Sequence, residues 1–232
     1  MLIGSGMLAQ AFASGFSQRE DVCIYAAGVS NSSCTDAKEF ARERSRLAGA
    51  LQEATNLNAF VYFGTCSVGD PELRNAPYVL HKLAMEALVS ALPCYMIIRL
   101  PQVAGHTPNP HTLLNFLHAR IARSEAFSLW KNAKRNIIDV SDVAAITHQL
   151  IADKSARKIT LNVANPVNYP MTEIVKAMER AVGKPAVYDV VDRGSEYHID
   201  VSEILPILDK ANVTFGNDYL ERVIGKYYGK KS

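Results

Sequence analysis

Long hydrophobic runs are missing from this 232-residue chain, and so is any surplus of charge of one sign. No apolar stretch approaches the ~18–20 residues that a bilayer-spanning helix needs, so no membrane partner is expected. The 25 Lys and Arg against 23 Asp and Glu leave a net charge of +2. That balance provides no concentrated basic face, and nucleic acid is not an expected partner either. Cysteine is scarce: Cys23, Cys34, Cys66 and Cys94 form no Cys-x-x-Cys pair and flank no His-x-His spacing. Neither a zinc site nor a disulfide framework is expected, and a reduced, cytoplasmic protein without a metal fits best. Internal repeats and low-complexity segments are absent. One stretch imitates a leader, because residues 1–16 are apolar and rich in small side chains. No Lys or Arg precedes it, however, and the first basic residue, Arg19, lies on the wrong side for a secretory signal.

With 48% apolar and 21% charged residues, a packed core is expected. Met1-Leu-Ile is a short apolar run, and residues 8–16 read as a helix. Asp21-Val-Cys-Ile-Tyr-Ala-Ala27 is continuously apolar, as strands of a buried parallel sheet are. Residues 36–55 are helical, with Phe40, Leu47 and Leu51 on one side and a ladder of Arg and Glu on the other. Ala59-Phe-Val-Tyr-Phe63 and Tyr95-Met-Ile-Ile-Arg-Leu100 are strands, and Pro77 suits the first turn of a helix over 77–92. Helices near 112–123, 141–153 and 170–182 then alternate with short strands near 126–130, 160–164 and 186–191. This alternation predicts an α/β fold: a doubly wound parallel, Rossmann-like sheet, reduced in strand number, with a small C-terminal α/β lobe. The expected domains are 1–105 with roughly 136–164, and a smaller lobe of 106–135 with 165–232.

Gly4-x-Gly6-x-x-Ala9 follows a strand and opens a helix, the setting in which glycines let a backbone approach a pyrophosphate. Small residues also recur at such turns for packing alone. A dinucleotide fold ordinarily adds a strand that ends in an acidic residue ~20 positions later, for the adenosine ribose. Here only residues 17–20 separate the first helix from the strand at Asp21, so that unit is missing. Tyr78-Val-Leu-His-Lys82 sets a phenol and an ammonium one helical turn apart, and a cation beside a tyrosine favours the phenolate. Tyr227-Tyr-Gly-Lys-Lys231 matches the same spacing in what reads as a solvated basic tail. Tyr78 differs in context, since it lies shortly after Thr65-Cys66-Ser67 at the end of a strand, where α/β sheets place their chemistry.

Gly4-Ser-Gly-Met-Leu-Ala9, Asp21-Val-Cys-Ile-Tyr-Ala-Ala27, Tyr62-Phe-Gly-Thr-Cys-Ser67, Tyr78-Val-Leu-His-Lys82, Arg99-Leu-Pro-Gln-Val-Ala-Gly105 and Arg135-Asn-Ile-Ile-Asp-Val-Ser-Asp-Val-Ala144 are each weak signals. In this order the chain resembles the extended short-chain dehydrogenase/reductases, and more narrowly the NAD-dependent epimerase/dehydratase family acting on nucleotide sugars. The Asn162-Val-Ala-Asn165 segment is similar to the family's substrate lobe. The resemblance implies Tyr78 as catalytic acid/base, Lys82 as the residue that tunes it and holds the nicotinamide ribose, and Thr65 as the hydroxyl that binds the reacting oxygen. It implies cofactor contacts from Gly4, Ser5, Gly6, Met7, Leu8 and Ala9, from Ala26, Ala27 and Gly28, and from Pro101, Gln102 and Val103. Gln102 stands where the family commonly has Asn, and His81 where Ser is common. Substrate contacts fall on Ser67, His111 and Arg135, with Arg135 similar to a family arginine that meets the nucleotide-sugar diphosphate. His111 also reads simply as an exposed loop histidine.

Lys131 and Lys134 read as a solvated charge cluster, Ser141 and Asp142 as helix caps, and Cys66 and Cys94 as small core residues. The implied cofactor is NAD or NADP, with Arg19 a candidate for a 2′-phosphate. The resemblance further implies a homodimer pairing the 36–55 and 77–92 helices. The expected activity is reduction of a nucleotide-linked keto-sugar in polysaccharide or deoxysugar biosynthesis. The rivals are a nucleotide-sugar epimerase and a non-catalytic Rossmann-fold binding or sensor protein.

Overall fold

The computed structural model describes residues 1–16, 20–54, 57–153 and 158–230. The chain begins with β1 (Leu2–Ile3), α1 (Met7–Phe16), β2 (Val22–Tyr25), α2 (Ala37–Glu53), β3 (Ala59–Thr65), α3 (Pro77–Val89) and β4 (Tyr95–Leu100). There follow β5 (Gln102–Ala104), α4 (Leu113–Ala122), β6 (Phe127–Trp130), β7 (Lys134–Asp139), α5 (Val140–Ala152) and β8 (Ile159–Asn162). The remainder is β9 (Asn168–Pro170), α6 (Met171–Val182), β10 (Tyr188–Val191), α7 (Leu208–Ala211) and α8 (Tyr219–Tyr228).

Five strands form a parallel sheet in the order β1-β2-β3-β4-β8. Side-chain alternation along β3 divides the core in two. Ala59, Val61 and Phe63 face α1 and α5, whose Phe12, Phe16, Val143, Ile146 and Leu150 cover that side. Phe60 and Tyr62 face the opposite layer, with Leu47 and Ala50 of α2 and Met85 and Val89 of α3. Helices on both faces make the sheet doubly wound, as the sequence predicts. Pro77 occupies the first turn of α3, where its missing N–H costs nothing, and Asp36 caps α2 by accepting from Lys38 N at 2.8 Å.

β1 pairs directly with β2, Leu2 opposite Ile24, and among the described residues nothing pairs on its other side. Among the described residues, no strand lies between α1 and β2 to carry an adenosine-ribose contact. The short strands β5, β7 and β9 form a second sheet, and β6 pairs β10 in a parallel ribbon. A separate apolar core lies between α4, α6 and α8.

Four expectations from sequence are corrected here. The supposed solvated tail is part of α8, an amphipathic helix that buries Tyr219, Leu220, Val223 and Ile224. Tyr227 donates to Asp139 at 2.6 Å and Tyr228 to Asn115 at 2.7 Å, while Lys231 lies outside the described residues. The cap of α5 is Asp139, whose carboxylate accepts from Ser141 N at 2.8 Å; Ser141 and Asp142 are already helical. The Glu ladder of α2 is not wholly solvated, because Glu43 is only 2% exposed. Cys66 is buried but Cys94 is half-exposed. Among the described residues, no helix is long and apolar enough to cross a membrane.

Candidate active site

The carboxyl ends of β1 to β4 open onto a cavity of about 360 Å³, within the range of small-molecule sites. Its first wall is the turn between β1 and α1. Gly4 has φ of 134°, and a Cβ there would lie 2.5 Å from the Ala26 carbonyl oxygen, so only glycine fits. Gly6 faces open space, leaving room for a ligand against the first-turn N–H groups of α1. Ser5, Met7 and Leu8 complete this wall; Ala9 is buried in α1 and does not line the cavity. Ala26, Ala27 and Gly28 leave the end of β2 beside it, and Pro101, Gln102 and Val103 form the opposite side after β4.

Tyr78, Thr65 and Ser67 meet at the floor. Thr65 ends β3, and its hydroxyl accepts from Ser67 N at 3.2 Å. Burial, reinforced by the negative charge of Glu43 and only partly relieved by the neighbouring Thr65, holds the Tyr78 phenol well above its ordinary pKa. Tyr197 lines the cavity with Ser67, and burial pushes its pKa up to about 12. Burial likewise pushes the Cys66 thiol up to about 12, against the partial relief of Arg99, so Cys66 is neutral.

Lys82 borders the cavity but its ammonium is turned into the protein. It donates to Glu43 Oε1 at 3.1 Å, to the Tyr62 hydroxyl at 3.2 Å and to the Phe63 carbonyl at 3.4 Å. Burial depresses the Lys82 pKa, and Glu43 opposes that shift. Burial works against the charge of Glu43 too, but Lys82 with hydrogen bonds from Val29, His81 and Tyr62 holds its carboxyl below the usual range.

At the far end stand Lys134 and Arg135 of β7. Lys134 pairs with Glu196 at 2.7 Å, and Arg135 Nη1 donates to the Lys134 carbonyl at 2.8 Å. His111 lines the rim, exposed. Asn136 and Asn168 lie below, with Asn136 Nδ2 donating to the Asn165 carbonyl at 2.7 Å. The cavity thus gathers every residue that the resemblance singled out except Ala9. Arg19 lies outside the described residues.

Sequence reasoning missed Glu43, Arg46 and Tyr197. Glu43 was detectable, since it sits three residues after Phe40 and four before Leu47, on the apolar stripe of α2. Arg46 enters the cavity from the same helix. Tyr197 comes from an irregular segment that only the tertiary fold carries across the sheet. Among the described lining residues are four cations, Arg46, Lys82, Lys134 and Arg135, and no Asp or Glu. Such a lining suits anionic ligands with phosphates.

Residues 9–164 match the model of the family described as NAD dependent epimerase/dehydratase. No curated protein sequence is similar enough to match. Solved structures share the fold at low identity. RMD from Pseudomonas aeruginosa, complexed with NADPH, is 15% identical with a TM-score of 0.69, covering 97% of this chain and 87% of that one. UDP-glucuronic acid 4-epimerase from Bacillus cereus, in complex with UDP-glucuronic acid and NAD, is 15% identical with a TM-score of 0.72, covering 98% and 88%. UDP-N-acetylglucosamine 4-epimerase from Bacillus cereus is 14% identical with a TM-score of 0.74, covering 98% and 94%. The family match spans about two thirds of the sequence, including most of α1, Thr65, Tyr78 and Lys82, and the chain belongs to the NAD dependent epimerase/dehydratase family.

Proposed function

We propose that this protein is an NAD(P)-dependent oxidoreductase that reduces a keto-sugar carried on a nucleoside diphosphate. The reading rests on Tyr78, buried at the carboxyl end of the sheet and lining the cavity together with Thr65. Gly4, Gly6 and the start of α1 fit a pyrophosphate, because the Gly4 backbone and the space over Gly6 leave the approach open. When bound, the nicotinamide supplies hydride to the sugar carbonyl carbon. Tyr78 donates a proton to the carbonyl oxygen, and Thr65 orients that oxygen. Lys82 provides positive charge beneath them, while Arg135 and Lys134 suit the substrate's diphosphate. The two lobes, 1–105 with 136–164 and 106–135 with 165–232, would close on the sugar between them, and the unit would work as a homodimer through α2 and α3.

The raised pKa of Tyr78 keeps the proton on the phenol, the form that donates to a carbonyl oxygen. Two of the similar folds are 4-epimerases, which supports the alternative of hydride removal and return to the opposite face. Incubation with a 4-keto nucleotide sugar and reduced cofactor separates the readings. Stoichiometric loss of reduced-nicotinamide absorbance supports the reductase, and interconversion of C4 epimers without net cofactor consumption supports the epimerase. A thermal-shift titration with NADH and NADPH tests the non-catalytic rival, because a ligand of the native state raises its melting temperature. No shift with either overturns the cofactor assignment.

A further inference from the structure

Glu43 is a buried charge that the reaction above does not use. Its neighbours Arg42 and Arg44 on α2 are exposed, but Glu43 points under the cavity. Its two oxygens collect four polar partners from three parts of the chain. Oε1 accepts from the Tyr62 hydroxyl at 2.8 Å and from Lys82 Nζ at 3.1 Å. Oε2 accepts from Val29 N at 2.7 Å and meets His81 Nε2 at 2.9 Å. The His81 ring is stacked on Phe40 of α2, with centroids 4.4 Å apart. A Cβ at Gly28 would fall 2.5 Å from Lys82 Nζ and 2.8 Å from Glu43 Oε1, so the cavity wall itself is shaped around this pair.

We infer that Glu43 is a positioning residue, the internal counter-ion that fixes the Lys82 ammonium beneath the cavity and ties it to the loop after β2. The inference rests on the reading of Tyr78 and Lys82 as the proton-handling pair. A lysine enclosed to this degree sheds its proton unless an anion compensates it. The other titratable groups do not replace Glu43. Tyr62 of β3 is a neutral phenol held far above its ordinary pKa by burial and by Glu43. Glu86, also on α3, is engaged by Arg99 of β4 at 2.7 Å. Tyr25 of β2 donates to the Glu43 backbone carbonyl at 3.3 Å, and Tyr78 is a buried phenol whose pKa burial raises. With its N–H groups directed at Glu43, Tyr62 and Phe63, Lys82 acts on Tyr78 through charge, and that charge depends on Glu43.

The test is nuclear magnetic resonance of protein labelled with ¹³C at lysine Cε, with Lys82→Met identifying the Lys82 signal. In the wild type Lys82 stays charged through neutral pH, and in Glu43→Gln its midpoint falls by about 1–3 units. The alkaline limb of the turnover profile moves the same way. A midpoint within ~0.3 unit of wild type overturns the inference, given the size of shift that an adjacent charge produces. So does an unmoved turnover profile beside a shifted Lys82, which would leave Glu43 a purely structural partner. If Glu43→Gln does not fold, the wild-type titration decides, and a Lys82 already neutral at pH 7 overturns the inference. Glu43→Gln/Lys82→Met, with neither charge buried alone, is then expected to fold. Absence of any keto-sugar turnover removes the proposed function, whereas the Lys82 titration still decides the counter-ion.

Discussion

Tyr78, near the start of α3, lines the same cavity as Thr65, the last residue of β3, close enough for Thr65 to lower its pKa against burial. A helix N-terminus and a strand end thus present one proton donor and one orienting group to the same cavity. Tyr78→Phe keeps the ring and removes a single hydroxyl. The variant is expected to melt close to wild type and to lose turnover by ~10²–10⁴-fold. Steady-state kinetics beside a thermal melt check both halves, and wild-type turnover removes Tyr78 from the reaction.

The pH dependence of keto-sugar reduction follows from the same residue. Burial first, and Glu43 second, raise the Tyr78 pKa, so the donating form persists as pH climbs. Reduction is expected to hold its rate across the neutral and mildly alkaline range. A rate that halves between pH 7 and pH 8, at roughly the ordinary span over which a tuned acid titrates, contradicts that assignment.

Cofactor binding is expected to be weak, with a dissociation constant of tens of micromolar, or about 6 kcal/mol. The glycine turn is present, but no strand pairs beyond β1 to bring an acidic side chain to the adenosine ribose. Arg46, exposed on α2 and lining the cavity, is the cation placed to compensate. Arg46→Gln is expected to weaken NADPH binding by about tenfold or more, as loss of a charge-assisted hydrogen bond does. Calorimetry on both proteins measures it, and a wild-type constant below a micromolar shows that other contacts replace the missing strand.

Dehydration of a hexose on its nucleotide is not expected. Elimination of water needs an acid for the leaving hydroxyl and a base for the adjacent C–H. Thr65 is followed by Cys66, whose thiol burial keeps neutral and which donates to the Arg99 carbonyl at 3.3 Å, and by Ser67, a very weak acid. Mass spectrometry after incubation with dTDP-glucose, UDP-GlcNAc or GDP-mannose and NAD is expected to show no loss of water.

Asp139 ties α5 to α8, capping α5 while receiving Tyr227 at 2.6 Å and Lys226 at 2.8 Å. Burial opposes its charge, but these donors and Ser141 N hold its pKa below the ordinary value of 3.8. Its contribution to stability is therefore complete above the unfolded-state pKa and is lost as pH falls through the lower folded value. Asp139→Ala is expected to cost about 2–4 kcal/mol at pH 7, combining a lost cap with donors left unpaired. Urea melts at pH 7 and pH 3 measure it, and a penalty that does not shrink at the lower pH rules out the charged link.

The sequence by itself determined the alternation of strands and helices, because buried parallel strands are apolar throughout and helices keep one apolar stripe. Tyr78, Thr65 and the glycine turn were legible for a related reason: each lies at a strand end or a helix start, where position along the chain already implies position in the sheet. The short strands β5, β7 and β9 were not legible, since three to six residues carry too little periodicity and are held by partners 30 or more residues away. Tertiary structure alone decided that Tyr227 and Tyr228 are anchors rather than a solvated tail, because Asp139 and Asn115 reach them only once α8 packs on the second core. It also decided the fate of Lys82. The i to i+4 spacing put Lys82 on the same helix face as Tyr78, but its ammonium goes to a carboxylate 39 residues earlier, across a helix layer. Spacing along one helix fixes which side chains share a face, while the charge a buried lysine answers to is set by whatever the neighbouring element brings within reach.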